Sequence, residues 1–455
     1  MTAVVILSIG VAIAVALPIA WRVRQRRFDP FEPIVVFALA WGVMFVVRPI
    51  AIVVRDDTTF YGVDISRTLD KAVLLGLVGA VGFVAGHELS PGAQLARRLP
   101  RLPTDLGSGA LVVAAVVGAI ATVAFGSYLL WAGGTSAIES FLDGRSPEFN
   151  DILQGSPLYL WWISLAIVPA ALVGVVVAYA NPGPTTILGA ATLFVLALIR
   201  VVPTGGRGYL LMLVGSALVF VYLHHGRRPG LVAVAVGIGV ALVGSYALLL
   251  FRDSETRSVA SNVIERVVST PTRVFSPLVK GPDAEMAPAL AGALLVIPSE
   301  LDHRYGAATF GDLATRPIPR QVWNGKPEPH TIQVTEAVWP VARETGDFQP
   351  AFTPLMSFYW DFGLLGAFVG LAAYGWVARV AYRYFLADSG NVASQLLYAV
   401  AFWTLVVALR ADPVVLLFHC LIMFLPLLVI AGLGTGRMVS TAAGYQPEAG
   451  RGANL

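Results

Sequence analysis

Val4-Val-Ile-Leu-Ser-Ile-Gly-Val-Ala-Ile-Ala-Val-Ala-Leu-Pro-Ile-Ala20, followed at once by Arg22, Arg24, Arg26 and Arg27, decides what kind of molecule this chain makes. The run matches the hydrocarbon thickness of a bilayer and is continuous rather than alternating, so it reads as a membrane-spanning helix and not a barrel strand. Its arginines follow the apolar run instead of preceding it. A cleaved leader carries its charge ahead of its apolar core, so this order predicts an uncleaved first span with the N-terminus outside.

The rest of the chain repeats the pattern. It is 56% hydrophobic and only 13% charged, with a mean hydropathy of +0.73, which excludes a soluble fold. Window reading gives an all-α, polytopic membrane bundle of about eleven spans, near 3–20, 33–54, 71–87, 108–132, 158–180, 185–203, 209–225, 231–251, 355–380, 391–409 and 413–433. Four regions follow: a transmembrane bundle over 1–251, a large extracytoplasmic loop over 252–353, further spans over 354–435, and a cytoplasmic tail over 436–455. With the N-terminus outside, the arginines at 22–27, Arg97, Arg98, Arg101, Arg227, Arg228, Arg379, Arg383, Arg437 and Arg451 all fall on the cytoplasmic side. Acidic segments, Asp56, Asp57 and Asp64, then Glu139, Asp143, Glu148 and Asp151, fall opposite. The positive-inside bias thus accounts for the net charge of +3, and nucleic acid is not expected as a partner. The single cysteine, Cys420, lies in an apolar run, so neither a disulfide framework nor a cysteine metal site is expected.

Cations that break the bias need a separate reason. Arg200 and Arg207 flank Pro203-Thr-Gly-Gly206 on the outer side, Arg410 and Asp412 sit at another outer helix end, and the loop carries several arginines. Snorkelling from helix ends is one explanation; convergence on phosphate is the other, because a guanidinium offers a fork matched to phosphate oxygens. Within the loop, 259–268 reads as an amphipathic helix. Ala287 to Ile297 is apolar but too short to span, so it reads as re-entrant or interfacial. Pro317, Pro319, Pro327 and Pro329 exclude regular helix and favour a stiff, extended path.

The polar residues gather from Arg316 to His330 and from Phe352 to Gly363. Gly206-Arg207-Gly208 opens a helix whose free N–H groups and Arg207 suit a diphosphate, although a plain interhelical turn uses the same glycines. Arg320, Trp323 and Lys326 form a second group; Lys326 is one of three lysines in the chain. Trp323 is placed either to stack on a sugar or to anchor the loop at the interface. His330 and His303 are candidate bases or ordinary loop residues. Asp361 is a candidate base or a helix-dipole partner. Gly363, Gly366, Gly370 and Gly375 suit close helix packing in lipid. Arg410 is a candidate ligand contact or, with Asp412, a cap on the last span.

On these residues the sequence resembles the O-antigen polymerase family, the oligosaccharide repeat-unit polymerases. The likeness rests on Gly206-Arg207-Gly208, on Ile318-Pro319-Arg320 with Trp323 and Lys326-Pro327, and on Phe352-Thr353-Pro354 leading to Tyr359, Phe362-Gly363 and Gly366. Many relatives carry a Glu just before the tyrosine; here Met356-Ser357-Phe358 stands in its place. An Arg-x10-Gly loop pattern of some members is also absent at Arg207 and Arg320.

The resemblance implies transfer of a growing glycan from polyprenyl diphosphate to the next lipid-linked repeat unit, at the outer face of the cytoplasmic membrane. It implies a surface polysaccharide as product, and a flippase and a chain-length regulator as partners. Fixed arginines supply the charge that stabilises the departing diphosphate, so no metal or cofactor is required. Arg207, Arg320, Lys326 and Arg410 are expected to bind diphosphate, with Trp323 and Tyr359 beside them, and His330, His303 or Asp361 to take the proton. Alternatives are a ligase, a glycosyltransferase using a polyprenyl-phosphate sugar, and a transporter of lipid-linked glycans.

Overall fold

The computed structural model describes residues 1–89, 91–103, 106–134, 158–202, 207–230, 236–237, 239, 284–316, 318, 322–323, 325–341 and 352–434. Among these, eight helices are long and apolar enough to cross a membrane. They are α1 (Thr2–Arg24), α2 (Pro33–Arg55), α3 (Leu69–Leu89), α5 (Ser108–Trp131), α6 (Tyr159–Ala180), α7 (Pro184–Val201), α11 (Pro354–Leu386) and α13 (Pro413–Leu433). Two slightly shorter apolar helices, α8 (Arg207–His224) and α12 (Val392–Ala408), accompany them. A short α4 (Gly92–Arg98) follows α3. The chain is a multi-pass membrane protein of the all-α class. The expected span at 231–251 and the helix at 259–268 fall almost entirely outside the described residues.

Membrane helices form here because every backbone group must be satisfied within its own segment when no water is available. Their ends are closed locally. Asn391 Oδ1 accepts the Ala393 and Ser394 N–H groups at the start of α12, and Asp412 Oδ1 accepts those of Val414 and Val415 at the start of α13. The local cap expected at Arg410-Ala-Asp412 is therefore made by Asp412.

Among the described residues two large apolar cores result, with a small cluster round Tyr128 beside them. One joins α1, α2, α3 and α11 with the loop elements; the other joins α5 to α8 with α12 and α13. In the first, α3 and α11 run side by side so closely that a Cβ on Gly86 would stand 1.9 Å from the Ala372 carbonyl oxygen, and one on Gly375 2.1 Å from that of Phe83. Small residues at a lipid-embedded seam permit this approach; of the four glycines expected to pack helices closely, Gly375 lies at this seam, Gly366 and Gly370 face Phe358 of α11's own first turns, and Gly363 is a break in the helix.

The two ends of the bundle differ. At the basic end, Arg22 donates to Glu32 and to Glu88 (2.6 Å), and Arg379 donates to Glu32 (2.9 Å). His87 lies beside Glu88 at 2.8 Å. Two guanidinium groups and two carboxylates thus balance, and they fasten α1, α3 and α11 to the 25–32 turn.

The other end carries the loop. A hairpin, β1 (Thr59–Phe60) and β2 (Val63–Asp64), turns on Tyr61 and Gly62, both at positive φ. Helix α9 (Met286–Val296) is buried along nearly its whole length. It packs on α3, with the Thr68 hydroxyl donating to the Ala291 carbonyl at 2.7 Å, so the short apolar segment is walled by protein rather than laid on lipid. Helix α10 (His330–Val338) begins directly after Pro329, and Trp339 beyond it donates to the Phe60 carbonyl at 3.1 Å.

Candidate functional site at the kinked end of the long helix

Helix α11 has 33 residues, about 50 Å at 1.5 Å per residue, which exceeds a hydrocarbon core of about 30 Å. It is not one straight helix. Phe362 (φ −138°, ψ 20°) and Gly363 (φ 61°, ψ −148°) leave helical geometry and divide it into two turns, 354–361, and a spanning part. The Gly363 conformation is one that essentially only glycine adopts. The two extra turns fold back beside the spanning part: the Phe358 ring lies over Gly370 and edge-on to Tyr374 at 5.8 Å, and Leu355 and Leu371 both reach Gly79.

A kink frees carbonyls that must find donors elsewhere. The loop provides them: the Arg304 N–H donates to the Trp360 carbonyl and the Tyr305 N–H to that of Asp361, both at 3.0 Å. The Trp360 indole in turn donates to the Asp302 carbonyl at 2.9 Å. Asp361, 1% exposed, completes the join. Its Oδ1 accepts the N–H groups of Gly306 (3.0 Å) and Ala308 (2.9 Å), and its Oδ2 that of Thr309 (3.1 Å). These bonds make Asp361 the anchor that holds 306–309 onto the helix.

Two histidines lie beside this join. His303 Nδ1 is 3.0 Å from the Trp360 carbonyl, which can only accept, so Nδ1 carries the proton. In the neutral ring Nε2 is then the basic nitrogen. Among the described residues it has no hydrogen-bond partner, and the side chain is half-buried with the Tyr359 ring edge-on at 5.8 Å. The adjacent Arg304 is exposed, stands 5.0 Å over the Trp360 ring and donates to Gln333. It has no carboxylate partner among the described residues.

His330 is 1% exposed and closed at both nitrogens. Nδ1 lies 2.7 Å from Asp312 Oδ2, which also accepts the His330 backbone N–H at 3.0 Å. Nε2 lies 2.8 Å from the hydroxyl of Ser357, itself fully buried in the first turns of α11. Burial alone would raise the Asp312 carboxyl, but the hydrogen bonds from His330 outweigh it and hold the carboxyl below its ordinary value. Ionised Asp312 fixes the proton on Nδ1, and the Ser357 hydroxyl donates to Nε2. Ser357, His330 and Asp312 stand in the order of a nucleophile, a base and an orienting acid.

Of the other expected residues, Tyr359 belongs to this group. Lys326 Nζ donates to the carbonyls of Ile318 (2.9 Å) and Arg316 (3.3 Å), and so ties 325–326 to the end of the preceding short helix. Trp323, between them in sequence, is 38% exposed. Arg410 lies at the α12–α13 turn. Arg207 opens α8, but its side chain, like Arg320, is outside the described residues. Arg200 is buried inside the bundle, 4.0 Å over the Trp161 ring, 4.8 Å over Phe125, and bonded to Ser164. That cage explains one of the cations that break the charge bias. Among the described residues, no cluster of His, Cys, Asp and Glu has the makings of a metal site.

Sequence reasoning did not find Arg304, Asp312 or Ser357. Arg304 is next to His303 in the chain, and Ser357 stands where the resemblance expected a Glu; Asp312, eighteen residues before its histidine, gives no local signal. No family model, curated protein or solved structure matches the chain.

Proposed function

We propose that this protein is a membrane glycosyltransferase that joins polyprenyl-diphosphate-linked oligosaccharide repeat units into a cell-surface polysaccharide, working where the loop meets the bilayer. The observation that carries this reading is His303. Among the described residues it is fixed through Nδ1, open at Nε2, flanked by an aromatic edge and followed by an arginine that has no carboxylate partner. A base must reach the proton it removes, and His303 meets that condition where His330 and Asp361 are already engaged. The sequence resemblance to repeat-unit polymerases supplies the substrate class.

In this reaction the hydroxyl of one lipid-linked repeat attacks the anomeric carbon of the chain held on the other lipid. The new carbon–oxygen bond forms as the bond to diphosphate breaks. The hydroxyl proton passes to His303 Nε2, and polyprenyl diphosphate departs with the bonding electrons. Arg304, with Arg207 and Arg320, offers positive charge to the leaving group, and this stabilisation is the larger share of the catalysis. Tyr359 offers a face or edge to a sugar. A flippase would deliver the repeats and a chain-length regulator would set the end point.

Cells carrying His303→Ala in place of the native chain should accumulate single lipid-linked repeats and lose long polymer. Long polymer retained on the lipid carrier would indicate a ligase instead, and an unchanged glycan profile would sink the reading.

A second reading rests on the Asp312–His330–Ser357 order, which suits acyl transfer through a serine ester. Covalent labelling of Ser357 by a fluorophosphonate, lost in His330→Ala, would favour it. An unlabelled protein would leave these three residues as a buried lock on α10 and α11.

A further inference from the structure

At the basic end of the bundle, far from the kink, α11 and α13 both pack on α12 and a cavity of about 500 Å³ opens between them. That volume lies within the range of small-molecule sites, about 300–1,000 Å³. Its walls are apolar: Val377, Val380 and Tyr384 from α11, Leu397 and Ala401 from α12, and Leu428 from α13. The rim residues Val377 and Leu428 are 58% and 45% exposed on helices that cross the membrane, so the groove faces lipid and not water.

The segment 99–103 closes its end. This roof is fastened in place: the Tyr384 hydroxyl donates to the Pro100 carbonyl (2.9 Å) and accepts the Leu102 N–H (3.2 Å), while Asn391 donates to the Leu102 carbonyl (2.9 Å). The fastening puts Arg101 at the mouth. Its guanidinium lies 5.0 Å from the Tyr384 ring and donates to the Tyr384 carbonyl at 3.1 Å. Among the described residues it has no carboxylate partner, whereas Arg22 and Arg379 at the same end are neutralised by Glu32 and Glu88. Arg97 and Arg98 add exposed charge one helix away.

We infer that this groove binds an anionic phospholipid of the bilayer, one acyl chain lying between α11 and α13 and the headgroup phosphate on Arg101. The two halves of the site match the two halves of such a lipid: an apolar slot open to the hydrocarbon, and a fixed guanidinium at the depth where headgroups begin. A free phosphate has no use for the slot, and a zwitterionic lipid gains less from the unpaired cation. The inference is independent of the proposed reaction, whose residues lie at the opposite end.

The test is photolabelling in proteoliposomes of the full chain with phosphatidylglycerol or phosphatidylcholine carrying a diazirine in one acyl chain, followed by peptide mapping. Labels should fall on 377–384, 397–401 and 428–432. Phosphatidylglycerol should exceed phosphatidylcholine by about fivefold, the preference one surface cation confers. Arg101→Gln should reduce phosphatidylglycerol labelling to the phosphatidylcholine level while leaving the latter unchanged, which also reports that the groove is intact. Ala401→Phe, which fills the slot, should lower both. Equal labelling by the two lipids in the native protein, labelling unaffected by Arg101→Gln, or displacement of phosphatidylglycerol by equimolar polyprenyl phosphate would overturn the assignment.

Discussion

His303 and His330 lie on either side of the same kink, and both are fixed through Nδ1, one by the Trp360 carbonyl and the other by the Asp312 carboxylate. They differ at the other nitrogen. Nε2 of His330 is spent on Ser357 inside the protein, while Nε2 of His303 has no partner among the described residues and the ring is only half-buried. The same residue type, oriented by the same device, therefore has opposite consequences. A closed histidine joins elements; an open one is available to substrate. Burial and the second hydrogen bond decide between these roles, and neither is visible in residue type or in position along the chain.

Breaking the open member should cost activity and little else. His303→Ala is expected to lower polymer formation by about 100- to 10,000-fold, the usual weight of a general base, with unchanged thermal stability in detergent. Rates and melting curves measured on one preparation would separate the two effects.

Breaking the closed side should cost stability. Asp361→Ala leaves three buried N–H groups without their acceptor, and a loss of about 4 kcal/mol is expected, seen as a lower melting temperature and as proteolysis within 302–309. His330→Ala strands the Asp312 carboxylate and the Ser357 hydroxyl and should cost about 3 kcal/mol. If His330→Ala instead removed activity at full stability, the assignment of roles to the two histidines would have to be exchanged. Gly363→Ala forces a side chain into a backbone region reserved for glycine and should cost about 2 kcal/mol.

The smallest effect is in pH. The Asp312 carboxyl is depressed in the folded protein, so it contributes stability above its unfolded value of about 4 and loses it as the pH falls through the lower folded value. Asp312→Asn should therefore flatten the acid limb of the stability curve below about pH 4, while lowering the plateau at neutral pH. Equal acid sensitivity in both proteins would contradict the ionised, hydrogen-bonded state of Asp312.

Much of the fold was legible because bilayer thickness imposes a length on apolar runs. The spans expected at 3–20, 71–87 and 413–433 appear as Thr2–Arg24, Leu69–Leu89 and Pro413–Leu433, with differences confined to their ends. Helix α9 was legible too, as an apolar segment too short to cross. The site was legible only in part. His303, His330, Asp361 and Tyr359 stood out as polar or aromatic residues in an apolar chain, but what each does depends on partners distant in sequence. Asp361 carries a charge suited to a base and is used as an anchor, because the kink two residues on brings three loop N–H groups to it. Lys326 is rare in the chain and is turned back onto its own loop. Folding rearranges such contacts without leaving a periodic trace.

The most direct measurement is elongation of purified lipid-linked repeat units by the purified protein in detergent, with the native chain, His303→Ala and His330→Gln compared at equal folded concentration. Polymer is expected from the native chain, about a hundredth of that or less from His303→Ala, and polymer at a reduced but readily measurable rate from His330→Gln. Native-level polymer from His303→Ala would contradict that expectation.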